Sequence, residues 1–414
     1  MLNMESGGVR QERIAPERRR ATILDAAVDL FEERGFNATT TAEIACAAGI
    51  TKRTLYRYMG SKEQILFEIH ERFLDRALAE ALTTRSGSSV EQFAAVVRRH
   101  VNVVARYQKE IRVTFEEMKH LSSQRRDKLV QRRDEYESIV REVLESGVRH
   151  RSFDVPDVVV ATKAILGALN DMYRWYRPAQ EFEPDEIADL IIRLFSEGLT
   201  TDRSLSDECD VAVRLPDVRA LEEIVSEPMA GIMRAVTDLF SRKGYHGTTT
   251  RELAEKLNLT KGALYYHIGH KGDVLFRTHQ LVTEEGIRIL SQLSNEDLPT
   301  PHVLTRMIVS HARVMHVHRA AIAVFLDEMR HLSPDYMSRI VERRDAYTAL
   351  LEGIIAQGQR LEEFRPLDPH LVTLVLLGML NSMYRWYRPD GPLPAEQIGA
   401  IMTRLLFCGV LRRT

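Results

Sequence analysis

Basic side chains cluster on one short stretch of the chain, where they could bind a nucleic acid. Between residues 51 and 62, the segment TKRTLYRYMGSK contains Lys52, Arg53, Arg57 and Lys62 and no acidic residue. Lys and Arg neutralise phosphates and reach guanine acceptors in the major groove of DNA. The cluster therefore predicts contact with DNA, although a charged run on an isolated helix is usually only a solvated face. More arginines lie upstream, at Arg10, Arg13, Arg18, Arg19 and Arg20.

The composition of the whole chain limits the other possibilities. Its 414 residues are 44% hydrophobic and its formal net charge is −2, which predicts several packed domains and excludes global disorder. Three scattered cysteines exclude a disulfide scaffold. No segment approaches the roughly 18–20 apolar residues of a membrane span, and the N-terminus lacks an apolar signal core. We therefore expect a cytoplasmic protein that does not contact membranes, with Cys46 as a small buried residue.

The chain repeats itself. LFEERGFNATTT, from Leu30 to Thr41, recurs as LFSRKGYHGTTT, from Leu239 to Thr250. Near the end of each half, NDMYRWYRP (170–178) recurs as NSMYRWYRP (381–389). A repeat of this length predicts two copies of one domain-sized unit, fused head to tail.

The elements that carry the basic cluster are predicted to be helices. Apolar residues recur at helical spacing before each repeated glycine, and no run alternates as a strand would, so the predicted fold class is all-α. Gly35 is placed to end the first helix, and the threonines that follow can cap the next one. Two short helices joined by a tight turn are typical of the helix-turn-helix motif, whose second helix enters the major groove. That second helix would be Thr51–Met59.

Both copies of this motif resemble the TetR family of bacterial repressors. The matching segments are TTTAEIACAAGITKRTLYRYMGSKEQIL (39–66) and TTTRELAEKLNLTKGALYYHIGHKGDVL (248–275). The second copy departs from the family pattern at Asn258, where glycine is usual, and at Gly272, where an acidic residue is common. Asparagine tolerates left-handed backbone, so the first departure is mild. The resemblance implies two tandem units, each a three-helix DNA-binding module followed by a larger helical module for ligand and dimerisation.

The resemblance also assigns roles to individual residues around the two motifs. Contacts to phosphate are implied for Thr40, Tyr56, Tyr58 and Lys62 and, in the second copy, for Thr249, Tyr265, His267 and Lys271. Contacts to the base edges are implied for Lys52, Arg53 and Thr54, with Arg57 nearby as a further DNA contact. In the second copy they are implied for Arg251 and Lys261. Because the two reading helices differ, we expect the double-stranded DNA target to be an imperfect palindrome.

Covalent linkage predicts that the two copies pair with each other. A tethered partner has a high effective concentration, so the chain is expected to form an intramolecular pseudo-dimer. Further pairing of whole chains into a homodimer stays open. The expected domain boundaries are 1–62 for the first DNA-binding domain, 63–200 for the first helical domain, 201–226 for a linker with a short helix around Val218–Val225, 227–271 for the second DNA-binding domain and 272–414 for the second helical domain.

The duplicated MYRWYRP segment is the candidate effector site. Its aromatic and methionine side chains can line an apolar pocket while arginine faces an anionic group, or they can equally be core residues with arginines at a helix C-terminus. The segment resembles family members that sense acyl-coenzyme A thioesters, whose phosphates suit arginine. The candidate effector residues are Met118, Met172, Arg174, Trp175, Met329, Met383, Arg385 and Trp386.

Other classes of function find little support in the sequence. There is no Walker loop, GxGxxG, GxSxG or HExxH motif, so we expect no catalytic site, no metal and no cofactor. The predicted function is a transcriptional regulator, acting as a repressor, that a small molecule releases from DNA by shifting the helices near 61–82 and 271–290. The alternative is a DNA-binding or partner-binding protein without an effector.

Overall fold

A computed structural model describes residues 16–82, 87–178, 182–198, 215–225 and 229–409. Arg10, Arg13, Cys209 and most of the expected linker, residues 201–214 and 226, lie outside the described residues. Within them every regular element is a helix, so the all-α prediction is confirmed. None of the described helices is long and apolar enough to cross a membrane.

The first copy consists of a small three-helix head followed by a larger helical body. A 3₁₀ turn, Met118–His120, lies between two helices of the body. The helices are α1 Pro16–Ala38, α2 Thr41–Ala47, α3 Lys52–Tyr58, α4 Lys62–Leu82, α5 Ser89–Arg106, α6 Gln108–Glu117, α7 Ser123–Arg149, α8 Val158–Trp175 and α9 Pro184–Glu197.

The second copy repeats this order after a short helix in the linker, α10 Leu221–Ile224, which lies inside the expected 218–225 segment. Its 3₁₀ turn is Met329–His331. The helices are α11 Met229–Gly247, α12 Thr250–Lys256, α13 Lys261–Ile268, α14 Lys271–Ser294, α15 Thr300–Val317, α16 Arg319–Glu328, α17 Pro334–Arg360, α18 Pro369–Asn381, α19 Met383–Trp386 and α20 Ala395–Cys408.

Local sequence chemistry sets the boundaries of the helix-turn-helix. Thr40 caps α2 in a reciprocal capping box with Glu43, and Thr51 caps α3 by accepting from the backbone of Thr54. The turn before α3 requires left-handed backbone, at Gly49 (φ +64°) in one copy and at Asn258 (φ +54°) in the other. Asparagine thus takes the conformation that glycine takes in the first copy.

One prediction about this motif is wrong. Cys46 is exposed, not buried. Helix α2 packs onto the head through Ile44 and Ala45, and the residue after them points outward. A seven-residue helix has only one buried stripe, so composition alone could not place the thiol on it.

The last helices of the two bodies pack against each other. Helices α8 and α9 of the first copy contact α18 and α20 of the second. Where α8 crosses α18, a Cβ on Gly167 would come within 2.6 Å of the Ser382 side chain, and one on Gly378 within 3.0 Å of the Ala168 backbone. The helix axes can approach this closely because both positions lack a side chain.

Polar contacts across this packing are reciprocal. Arg174 donates to the Tyr384 hydroxyl and Arg385 to the Tyr173 hydroxyl, both at 3.3 Å. Arg174 also donates to the backbone carbonyl of Leu326 at 2.8 Å. Equivalent residues therefore exchange equivalent bonds, as they do in an interface with two-fold symmetry.

Candidate DNA interface and effector cavities

The reading helices present their basic residues to solvent. Lys52, Arg53 and Arg57 are exposed on α3, while Leu55 between them is fully buried and anchors the helix to the head. On α13, Lys261 is exposed in the same way. The ammonium group of Lys52 lies 5.9 Å from the centre of the Tyr56 ring, which keeps it beside a candidate phosphate contact.

The hydroxyl groups proposed to contact phosphates already have partners in the head. Tyr56 OH lies 3.1 Å from Thr41 Oγ1, and its counterpart Tyr265 donates to Thr250 at 3.4 Å. Thr40 Oγ1 donates to Glu43 Oε2 at 2.7 Å, and Thr249 does the same with its own glutamate. Each phenol is about half exposed, so it can also meet a ligand.

Lys62 and Lys271 are used inside the heads. Lys62 Nζ donates to the carbonyls of Phe36 and Thr39, both at 2.7 Å, and Lys271 makes the same pair of bonds in the second copy. Burial lowers the pKa of each ammonium group. Lys62 thus fixes the chain between α1 and α2, and Lys271 fixes it between α11 and α12. Each ammonium group has three N–H donors, so only the third is left for a phosphate.

Other predicted contacts differ between the copies. Arg251 forms an exposed pair with Glu255 at 2.9 Å, four residues along the same helix. Thr54 and Tyr58 are half buried on α3, and the Arg57 guanidinium lies 5.2 Å from the centre of the Tyr58 ring. His267 is half buried at the end of α13. The first reading helix thus exposes more cationic groups than the second.

The two heads meet at the 3₁₀ turns of the bodies. Lys119 forms an ion pair with Glu328 of the other copy, and Glu328 also accepts from the backbone of Tyr245 at 3.0 Å. The next residue, His120, stacks on Phe36 of the first head, with ring centres 5.1 Å apart. One short turn therefore touches its own head and the opposite copy.

Each body contains a cavity that the other copy completes. The first cavity holds about 1220 Å³ of atom-free space, its open mouth included, and the second about 970 Å³. Residues Tyr384, Arg385 and Trp386 of the second copy line the first cavity. Asp171 and Trp175 of the first copy line the second.

The structure divides the candidate effector residues into two groups. Four line one of these two cavities: Met118, Trp175, Arg385 and Trp386. Met172 and Met383 are fully buried in the core between the helices, and Arg174 makes the cross-copy bonds described above. Met329 packs partly buried against the core.

Buried histidines lie in the walls of both cavities. His100 Nδ1 is 2.6 Å from Tyr136 OH, and the same pair recurs as His311 and Tyr347 at 2.6 Å. Burial lowers the pKa of both histidines to about 4, so each is neutral at pH 7. Among the described residues no group of three or more His, Cys, Asp or Glu side chains could hold a metal ion.

Comparison with known proteins identifies the family. "Bacterial regulatory proteins, tetR family" matches residues 23–69 and 232–278, which cover the two heads. "Tetracyclin repressor-like, C-terminal domain" matches residues 86–199 and 298–410, more than half of the chain. The chain belongs to the TetR family. It is a DNA-binding transcriptional regulator with the family unit present twice.

Relatives from the TetR family correspond to one copy of this chain. The transcriptional repressor KstR2 of Rhodococcus jostii is 34% identical over 202 residues, 44% of this chain and 92% of that protein. The fatty acid metabolism regulator protein of Bacillus subtilis is 24% identical over 183 residues, 43% of this chain and 93% of that protein.

Solved structures of TetR-family proteins also match. The regulator PfmR from Thermus thermophilus is 31% identical with a TM-score of 0.41, covering 42% of this chain and 96% of that one. AibR, solved with isovaleryl coenzyme A and operator DNA, is 27% identical with a TM-score of 0.40, covering 42% of this chain and 96% of that one.

Sequence reasoning missed two arginines that line the cavities. Arg133 and Arg344 occupy equivalent positions on α7 and α17, line the two cavities, and make no hydrogen bond or salt bridge with the described residues. Both residues are exposed, and partial desolvation beside the cavity lowers the pKa of each guanidinium, with nearby Arg385 lowering that of Arg133 further. The repeat could have drawn attention to them, because RRD recurs at 132–134 and 343–345.

Proposed function

We propose that this chain is a repressor that holds one operator with both of its own reading helices and releases it when a small molecule enters the cavities. The operator would be an imperfect palindrome, and the chain would act as an intramolecular pseudo-dimer. The observation that carries the proposal is the reciprocal packing of the two bodies, which takes the place of pairing between separate chains.

The exposed groups on the heads support unequal roles in DNA binding. Lys52 and Arg53 can reach base edges, with Thr54 alongside, while Lys261 and Arg251 would do so in the second head. Phosphate contacts are proposed for three exposed or half-exposed groups in each copy: Thr40, Tyr56, Tyr58, Thr249, Tyr265 and His267.

The cavities suit a ligand that has an apolar body and an anionic group. Their walls are mostly apolar and aromatic, and each contains one unpaired guanidinium, Arg133 or Arg344. Both arginines are exposed, so an anion that enters a cavity can reach the guanidinium and form charge-assisted hydrogen bonds with it. Relatives named for repression and for fatty acid metabolism support an acyl-coenzyme A thioester as the first candidate.

A physical connection leads from the first cavity to the DNA-binding heads. Met118 lines the cavity, and the next two residues hold Glu328 of the other copy and Phe36 of the first head. Just beyond, the Ser122 amide donates to Glu63 in the first turn of α4 at 2.8 Å. A ligand that displaces this turn would move both heads, provided that it prefers the displaced state.

The test uses an operator selected from random DNA with the intact chain. Fluorescence anisotropy should show that decanoyl-coenzyme A weakens binding, and that the double variant Lys52→Ala/Arg53→Ala weakens it roughly tenfold or more. Lys128→Ala, on the exposed face of α7, is the matched control and should leave binding unchanged. Separated single copies that bind as well as the intact chain, at equal copy concentration, would contradict the pseudo-dimer. A complex insensitive to every thioester tested would contradict the effector.

A further inference from the structure

The two cavities occupy equivalent places in the two copies and share part of their lining. The histidine–tyrosine pair His100 and Tyr136 recurs as His311 and Tyr347, and both cavities keep the unpaired arginine on α7 or α17. The shared arginine therefore provides the same binding group for an anion in each cavity.

The opposite wall differs in charge. In the first cavity Lys163 forms an ion pair with Glu137, and their side chains are 28% and 17% exposed. The equivalent positions in the second cavity are Leu374 and Thr348. The first cavity thus contains a charged pair, open to whatever occupies the cavity, where the second contains an aliphatic side chain and a hydroxyl.

A third position strengthens the difference. Thr114 lines the first cavity, and its buried Oγ1 has no hydrogen-bond partner, whereas the equivalent Phe325 fills that place in the second. Buried atoms without partners also occur around the second cavity, at Trp175 Nε1, His279 Nδ1 and His311 Nε2. All three belong to neutral groups, so they supply no charge.

We infer that the two cavities select different effectors: the first takes an acyl chain that carries a hydroxyl substituent, and the second takes the unsubstituted chain. This inference rests on the proposed effector function. The chain would then respond to two related metabolites through one pair of reading helices.

The physical basis is the cost of covering polar groups with hydrocarbon. An alkyl chain that packs against Lys163 and Glu137 removes water from the ion pair and forms no hydrogen bond in its place, which costs free energy. A hydroxyl can donate to Glu137 and accept from Lys163 or Thr114, so it replaces that water. A fully buried site of this kind discriminates by 10⁴-fold, and this partly exposed one should do so roughly tenfold to hundredfold.

The chain contains one tryptophan in each cavity, which allows each to be followed separately. Trp175→Phe leaves Trp386 to report the first cavity, and Trp386→Phe leaves Trp175 to report the second. The probes are decanoyl-coenzyme A and its 3-hydroxy and 10-hydroxy forms, titrated into the full-length chain. The hydroxylated forms should bind at least tenfold more tightly than decanoyl-coenzyme A at Trp386, with the opposite order at Trp175.

Two variants test which residues give the first cavity its preference for hydroxylated chains. Glu137→Thr/Lys163→Leu gives these two positions of the first cavity the residues of the second and removes both charges of the pair together. It should remove most of the preference for hydroxylated probes at Trp386 and leave binding at Trp175 unchanged. Thr114→Val, which keeps the side-chain shape, should reduce that preference in part. If hydroxylated and unsubstituted probes bind equally well at both tryptophans, and the variants change nothing, the inference is wrong but the proposed effector function stands. If no thioester binds at all, the proposed effector function is wrong as well.

Discussion

The ion pair between Lys119 and Glu328 offers a direct test of the contact that joins the two copies at their heads. Lys119→Met removes the cation but keeps most of the length of the side chain. Glu328 is 2% exposed and would remain as a buried carboxylate. Its other contacts are the backbone amide of Tyr245 at 3.0 Å and the His331 ring nitrogen at 3.5 Å.

The expected loss in the free energy of unfolding follows from this environment. Breaking a buried ion pair by removing one partner costs about 3–5 kcal/mol, and the retained amide bond places this case near 3 kcal/mol. Adding Glu328→Gln to Lys119→Met removes the unpaired charge and should recover about half of that loss. The free energy of unfolding, from urea denaturation followed by circular dichroism, measures both changes.

The matched control is an ion pair on the surface. Arg149 and Glu145 lie 3.8 Å apart on α7 with side chains 65% and 44% exposed, so Arg149→Ala should cost less than about 0.5 kcal/mol. If Lys119→Met costs as little as this control, the contact between the copies is not a buried, stabilising one, and our account of the heads is wrong.

Three further predictions test other parts of the molecule. Lys52→Ala should weaken operator binding more than Lys261→Ala does and should lower the salt dependence of binding, because the first reading helix has more cationic groups; equal effects in anisotropy titrations would refute the asymmetry. Burial lowers the pKa of His100 to about 4, so the unfolded chain binds that proton first and stability falls as the pH drops from 6.5 towards 4. His100→Gln should reduce the loss of stability between pH 7.5 and pH 5 by about 2 kcal/mol, measured by urea denaturation, and an unchanged loss would count against it. In a chain with Cys209→Ser, a thiol reagent should modify exposed Cys46 quickly and buried Cys408 slowly, and equal rates would contradict their placement.

Local features of the fold could be predicted from the sequence because they depend on local chemistry. Helical spacing, threonine caps and the left-handed turn residue are determined by a few neighbours in the chain, and Asn258 takes the turn conformation expected of it. Cys46 was misplaced because which face of a short helix is buried depends on what packs against it.

The cavities were harder to predict, since their walls come from distant parts of the chain. Trp386 and Arg385 were recognised as candidate effector residues, but nothing in the sequence indicated that they line the cavity of the other copy. The same holds for Lys119, whose partner lies 209 residues away. Contacts of this kind depend on how the two bodies pack, which periodicity does not specify.

The central claim is that one polypeptide supplies both reading helices for one operator, and the stoichiometry of the complex measures this directly. Native mass spectrometry of the intact chain with its selected operator, combined with hydroxyl-radical footprinting of the same sample, gives the number of chains and the DNA they protect. We expect a complex of one chain and one duplex in which both half-sites are protected. A one-chain complex that protects a single half-site, with the second half-site covered only when a second chain binds, would contradict the claim.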